Sequence, residues 1–130
     1  MVLIIVSYII LNMQVMTMDD IFERFETEVK RGVIQVAVMC LLEKERYGYD
    51  IIKSLKDTGL GIEEGTLYPI LRRLEDEKLL ASRWVTEGPR PRKYYTITAY
   101  GKEIRGKLLG SLRSISLAVD RLENEMSGVN

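Results

Sequence analysis

The sequence predicts a mainly α fold carrying one small β-hairpin, and three observations lead there. Apolar residues recur at helical spacing through 19–57 and again through 66–77; two short β-prone runs flank a basic, proline-containing turn within 81–98; a last apolar row steps by four and three from Leu108 to Met126. With 130 residues, 46% hydrophobic and 29% charged, the chain can build one domain with a real core plus an appended element, but not two large domains.

Residues 1–18 stand apart as a hydrophobic extension. The run "MVLIIVSYIILNMQVM" carries no charge, the first being Asp19. It lacks the basic start and small-residue cleavage site of a signal peptide. Asn12 and Gln14 interrupt it early, short of the roughly 20 apolar residues a membrane span needs. Three readings stay open: a strand or helix packed on a partner, a weak membrane anchor, or an extension from a misassigned start, since Met13, Met16 and Met18 could each initiate. The membrane reading is the least favoured, because so short a lipid-facing segment is marginal.

From Asp19 the elements follow in order. Asp19 and Asp20 suit the N-cap and first turn of a helix carrying Phe22, Phe25 and Val29 at helical spacing. Gly32 separates it from, or bends it into, a second apolar segment, Val33 to Leu42, which reads as a buried helix; Cys40 lies within that run and is expected to be a small buried hydrophobe. Tyr47-Gly48 punctuates the end. "YDIIKSLKD" is a short helix with Ile51, Ile52 and Leu55 inward, stopped by "TGLG".

In "GTLYPILRRLEDE", about 100° per residue gathers Leu67, Ile70, Leu71 and Leu74 on one arc. Thr66, Tyr68, Pro69, Arg72 and Arg73 fall opposite. A short helix, a glycine-containing turn and a helix with guanidinium, phenol and hydroxyl groups on its free side form a helix-turn-helix with its reading helix. Arginine can pair bidentately with guanine edges or phosphates. Pro69 leaves two starts open: near Thr66 its missing N–H is harmless, whereas a start near Glu63 loses one ladder bond.

Strands are predicted at Ala81 to Thr86 and Lys93 to Thr98, joined by a turn on Gly88-Pro89. The tip "GPRPRK" carries Arg90, Arg92 and Lys93, and a basic hairpin directly after a reading helix is a wing suited to phosphate contact. Net charge is zero, yet residues 80–108 hold seven bases and two acids against seven bases and eleven acids in 19–64, so the positive charge is local. Leu108, Leu112, Ile115, Val119, Leu122 and Met126 make the seam of a coiled-coil-like dimerisation helix over 100–127, following a winged helix-turn-helix domain over 19–99. Its expected partner is a second copy of the chain.

No histidine is present and cysteine occurs once, which removes the usual zinc sites, the Ser-His-Asp triad and any disulfide framework; no metal, cofactor or catalytic constellation is expected, and the location expected is cytoplasmic. The competing class is a protein-interaction module fixed to a partner or membrane by the hydrophobic N-terminus.

"YGYDIIKSL", "GTLYPILRRLEDEKLL" and "RPRKYYTITAYGKE" together resemble the winged helix-turn-helix of the PadR family of transcriptional regulators, over roughly 19–126. The resemblance implies a dimeric regulator, usually a repressor, that binds double-stranded operator DNA and often answers to a small-molecule effector held between the C-terminal helices. Two departures stand out. Glu63 and Glu64 occupy the place of a serine-like cap before the reading helix. Lys78 stands where the family tends to have glycine, which predicts a different helix ending, because a left-handed lysine costs about 1 kcal/mol.

Overall fold

The computed structural model describes residues 1–14 and 16–128. Val15, inside the hydrophobic extension, therefore lies outside the described residues. The chain forms two compact units, 1–32 and 33–130.

The first unit contains α1 (Val2–Gln14) and the opening turns of α2 (Met18–Leu41). Thr17, rather than the aspartate pair, caps α2. Its Oγ1 accepts from the Asp20 N–H at 3.2 Å while Asp20 Oδ2 accepts from the Thr17 N–H at 3.1 Å, a reciprocal capping box. Asp19 and Asp20 sit in the first turn, where their charge suits the helix dipole. Gly32 does not break α2, which runs on as one helix.

The second unit is built on the rest of α2, then β1 (Arg46–Tyr47), α3 (Gly48–Asp57), α4 (Glu64–Asp76), β2 (Leu80–Val85), β3 (Arg92–Ile97) and α5 (Ala99–Met126). Its core is one cluster: Ile34, Val36, Val38, Met39 and Leu42, then Ile51 and Leu55, then Leu67, Leu71 and Leu74, closed by Leu80, Tyr95 and Ile97. The three-stranded antiparallel sheet has the order β1-β3-β2. β2 and β3 pair from Leu80 opposite Ile97 to Val85 opposite Arg92, and the two-residue β1 sets Arg46 and Tyr47 opposite Tyr95 and Tyr94. Cys40 is exposed, contrary to the expectation of burial. α2 is not buried all round, and Cys40 falls on the side away from Met39 and Leu42.

Both helices of the helix-turn-helix end in the same way. After α3, Gly59 takes φ 87° while the Leu60 N–H donates to the Leu55 carbonyl at 2.9 Å; after α4, Lys78 takes φ 67° while the Leu79 N–H donates to the Leu74 carbonyl at 2.9 Å. These are Schellman endings. The expected different ending of α4 is thus overturned. The Leu79–Leu74 bond, with the Thr98 hydroxyl donating to the Lys78 carbonyl at 2.7 Å, holds a lysine in a glycine's conformation. Lys78→Gly is expected to raise stability by about 1 kcal/mol, read as a higher urea midpoint at unchanged slope.

α5 starts firmly and then leaves the domain. Thr98 caps it by accepting from the Gly101 N–H at 2.9 Å, and Glu43 holds Lys102 and Arg105 at 3.3 and 2.6 Å. Leu109 and Leu112 pack on the core, but every side chain from Arg113 to Met126 is exposed.

Candidate nucleic-acid interface

α4 positions its polar groups by burying the opposite side. With Leu67, Leu71 and Leu74 in the core and Ile70 half-buried, Thr66, Tyr68, Pro69, Arg72 and Arg73 are exposed, as the helical period requires. The start is at the earlier of the two candidate places. Glu63 is the N-cap, its carbonyl accepting from the Thr66 and Leu67 N–H groups, so Pro69 is the sixth helical residue and the Gly65 carbonyl has no N–H to accept from it. Glu63 makes no side-chain cap bond and Glu64 fills the first turn, so two carboxylates sit where a phosphate would otherwise find the positive end of the helix dipole. Arg72 and Arg73 lie more than two helical turns further along.

The seven nominated residues differ in how free they are. Arg72 and Arg90 are exposed and make no polar or ring contact among the described residues. Arg73 donates to Gln35 Oε1, which ties it to the second half of α2. Of the three wing cations, Arg90 alone lies in the turn; Arg92 and Lys93 are the first residues of β3. The Arg92 guanidinium stands 4.8 Å above the Tyr47 ring. Lys93 Nζ lies 3.3 Å from Glu75 Oε1 and 5.3 Å from the centre of the Tyr95 ring, so this lysine braces the wing against α4. Partial burial works to lower the Lys93 pKa, but Tyr95 and Glu75 outweigh it and hold the ammonium above its ordinary value. The Ser82 hydroxyl, and then Lys93, hold the Glu75 carboxyl below the usual carboxylate range against its partial burial. Thr66 and Tyr68 are open to solvent.

Two concave surfaces meet at Tyr68. One, along α4, is lined by Tyr68, Pro69, Arg72, Arg73 and Asp76. The other, a cleft of about 380 Å3, runs between α4 and the wing, with Tyr47, Gly48 and Tyr68 on one side and Trp84, Pro91, Arg92, Lys93 and Tyr95 on the other. Tyr68 thus borders both the groove that carries Arg72 and Arg73 and the cleft that carries Arg92 and Lys93. Such a surface can hold a polyanion by its guanidinium groups and read a base edge with Arg72.

Sequence reasoning did not nominate Tyr47, Gly48 or Trp84. A Cβ on Gly48 would lie 2.5 Å from Tyr68 Oη, so only glycine leaves the phenol its place. "YGYD" was legible as punctuation, but nothing local tells that its glycine faces a tyrosine twenty residues on. Arg83 is a further wing cation, yet its Nε donates to Glu45 Oε2 at 2.7 Å, away from the cleft residues.

The row expected to mediate dimerisation divides in two. Leu112 packs partly on its own core and Leu108 is 37% exposed, whereas Ile115, Val119, Leu122 and Met126 are 56–85% exposed, as is Leu117 off the row. No single helix among the described residues is long and apolar enough to cross a membrane.

Residues 38–107 match the transcriptional regulator PadR-like family. Among solved structures, a PadR family transcriptional regulator from Eggerthella lenta DSM 2243 is 39% identical, with 80% of this chain and 93% of that one covered at a TM-score of 0.76. A PadR-like transcription factor from Bacteroides fragilis is 38% identical over 76% of this chain and 98% of that one, at a TM-score of 0.63. No curated protein matches the sequence.

Proposed function

The chain belongs to the PadR-like family of transcriptional regulators, and from that premise we propose that it is a homodimeric repressor reading a palindromic operator with Thr66, Tyr68, Arg72 and Arg73 and gripping phosphates with Arg90 and Arg92. The observation that carries this reading is the shared wall at Tyr68. One side chain borders both the α4 groove with its two arginines and the wing cleft with Arg92, so both cationic groups can meet one duplex. Lys93 acts here through its bond to Glu75, setting the wing against the helix.

The exposed row on α5 supports a two-fold dimer, since a free apolar seam in 4-3 steps calls for a like partner. Two-fold symmetry would place the two α4 helices about one DNA turn apart, roughly 34 Å, and so favours a palindromic site. A cytoplasmic location accords with a DNA partner. Response to a small-molecule effector belongs to the same reading.

The test is fluorescence anisotropy with the DNA upstream of the protein's own gene, at two or more salt concentrations. Binding should weaken steeply with salt, and Arg92→Ala should lower the slope of log K against log salt by about 0.9 per protomer, one released counterion. An unchanged slope would remove Arg92 from the phosphate contacts. Arg72→Ala should relax sequence preference if that side chain reads a base, and weaken all sequences alike if it holds a phosphate.

A further inference from the structure

The cleft beside Tyr68 is walled largely by aromatic rings. Tyr47, Tyr68, Trp84 and Tyr95 line it together with Arg92 and Lys93. Its volume, about 380 Å3, lies in the range of small-molecule sites, about 300–1,000 Å3. The two cations are not equivalent. Lys93 already has the Glu75 carboxylate at 3.3 Å, whereas Arg92 has only the face of the Tyr47 ring at 4.8 Å and no carboxylate among the described residues. The cleft therefore carries one positive charge that no carboxylate among the described residues pairs.

Rings on the walls and a single uncompensated guanidinium define a ligand. We infer that the cleft binds a planar aromatic monoanion of one or two fused rings, its ring against Tyr68 and Trp84 and its carboxylate or sulfonate on Arg92, in competition with DNA. A flat ring gains stacking from the aromatic walls, and a carboxylate matches the guanidinium fork. The effector site implied by the family resemblance lies elsewhere, between C-terminal helices. α5 itself has no aromatic residue beyond Tyr100, whereas four rings line this cleft. Competition follows because the ligand takes Tyr68 and Arg92 from the surface offered to the duplex. That second part rests on the DNA-binding reading above; ligand binding itself does not.

Trp84 is the single tryptophan of the chain, so full-length protein labelled with 5-fluorotryptophan gives one fluorine resonance, located in this cleft. The probes are 2-naphthoate and its neutral isostere 2-naphthamide. The naphthoate should shift that resonance saturably and bind about tenfold tighter than the amide, and Arg92→Gln should erase the difference. No saturable shift by about 1 mM naphthoate would overturn the site, as would equal binding of acid and amide to the parent protein. Circular dichroism checks that Arg92→Gln is folded, and should it not be, the acid-to-amide ratio on the parent still decides. In the DNA arm, naphthoate should displace a labelled duplex over the range in which it moves the fluorine signal. Saturation of that signal with the duplex still bound would overturn competition and leave the site standing. A duplex that fails to bind without ligand would instead sink the DNA-binding reading, and the fluorine result would still decide the cleft.

Discussion

Gly101→Ala is expected to lower stability by about 2 kcal/mol, a fall in Tm on the order of 10 °C for a domain of this size. Gly101 is the third residue of α5 and is buried. An added Cβ would press into the Leu79 carbonyl oxygen and lie 2.7 Å from Ile97 Cγ1. Neither can readily retreat. The Leu79 N–H is spent on the Leu74 carbonyl and its carbonyl accepts from the Thr98 N–H at 3.0 Å, while Ile97 is in the core and donates its N–H to the Leu42 carbonyl at 2.9 Å. Alanine would gain about 1 kcal/mol in helix propensity, so a net loss measures the clash. Gly106→Ala, on the same helix with open space around it, should show that gain without the clash. Thermal unfolding of both variants checks the contrast, and a Gly101→Ala protein as stable as the parent would mean that α5 seats differently on the wing.

Leu122→Asp should give a monomer that keeps its fold and loses about a hundredfold in affinity for a palindromic operator. Leu122 is 64% exposed in the protomer and touches none of the core, so the substitution removes nothing that the domain needs. Across a two-fold seam it would bury two carboxylates against apolar side chains, which the association cannot compensate. A lone domain then binds each half-site separately and loses the effective concentration that linkage supplies, a factor of about 10² to 10⁴. Sedimentation equilibrium with anisotropy on the same samples separates the two effects. A variant that stays dimeric would move the interface off this row.

The architecture was largely legible because it rests on local period. Leu67, Ile70, Leu71 and Leu74 recur at helical spacing, and the free side carries Thr66, Tyr68, Arg72 and Arg73 as that spacing dictates. The hairpin announced itself through β-prone runs about a glycine-proline turn, with each strand displaced by one residue from its predicted bounds. What escaped was short or non-local. β1 has two residues, too few for any alternation to register. Cys40 was misjudged because an apolar run from Val33 to Leu42 does not say which of its members turns outward. At Lys78 the local penalty was read correctly, but bonds from Leu79 and Thr98 overrule it.

The candidate interface divides along the same line. Sequence alone determined which residues are cationic, which helix exposes them and that the wing is basic, because residue type and period are properties of a segment by itself. Only tertiary structure decided which cations are spoken for: Lys93 by Glu75, Arg73 by Gln35, Arg83 by Glu45, with Arg72 and Arg90 left open. It alone brought Tyr47, Tyr68 and Trp84 around one cleft. The reason is physical: pairing and enclosure depend on distances between residues far apart in the chain, and those distances are set by how the leucine core draws α2, α3, α4 and the sheet together.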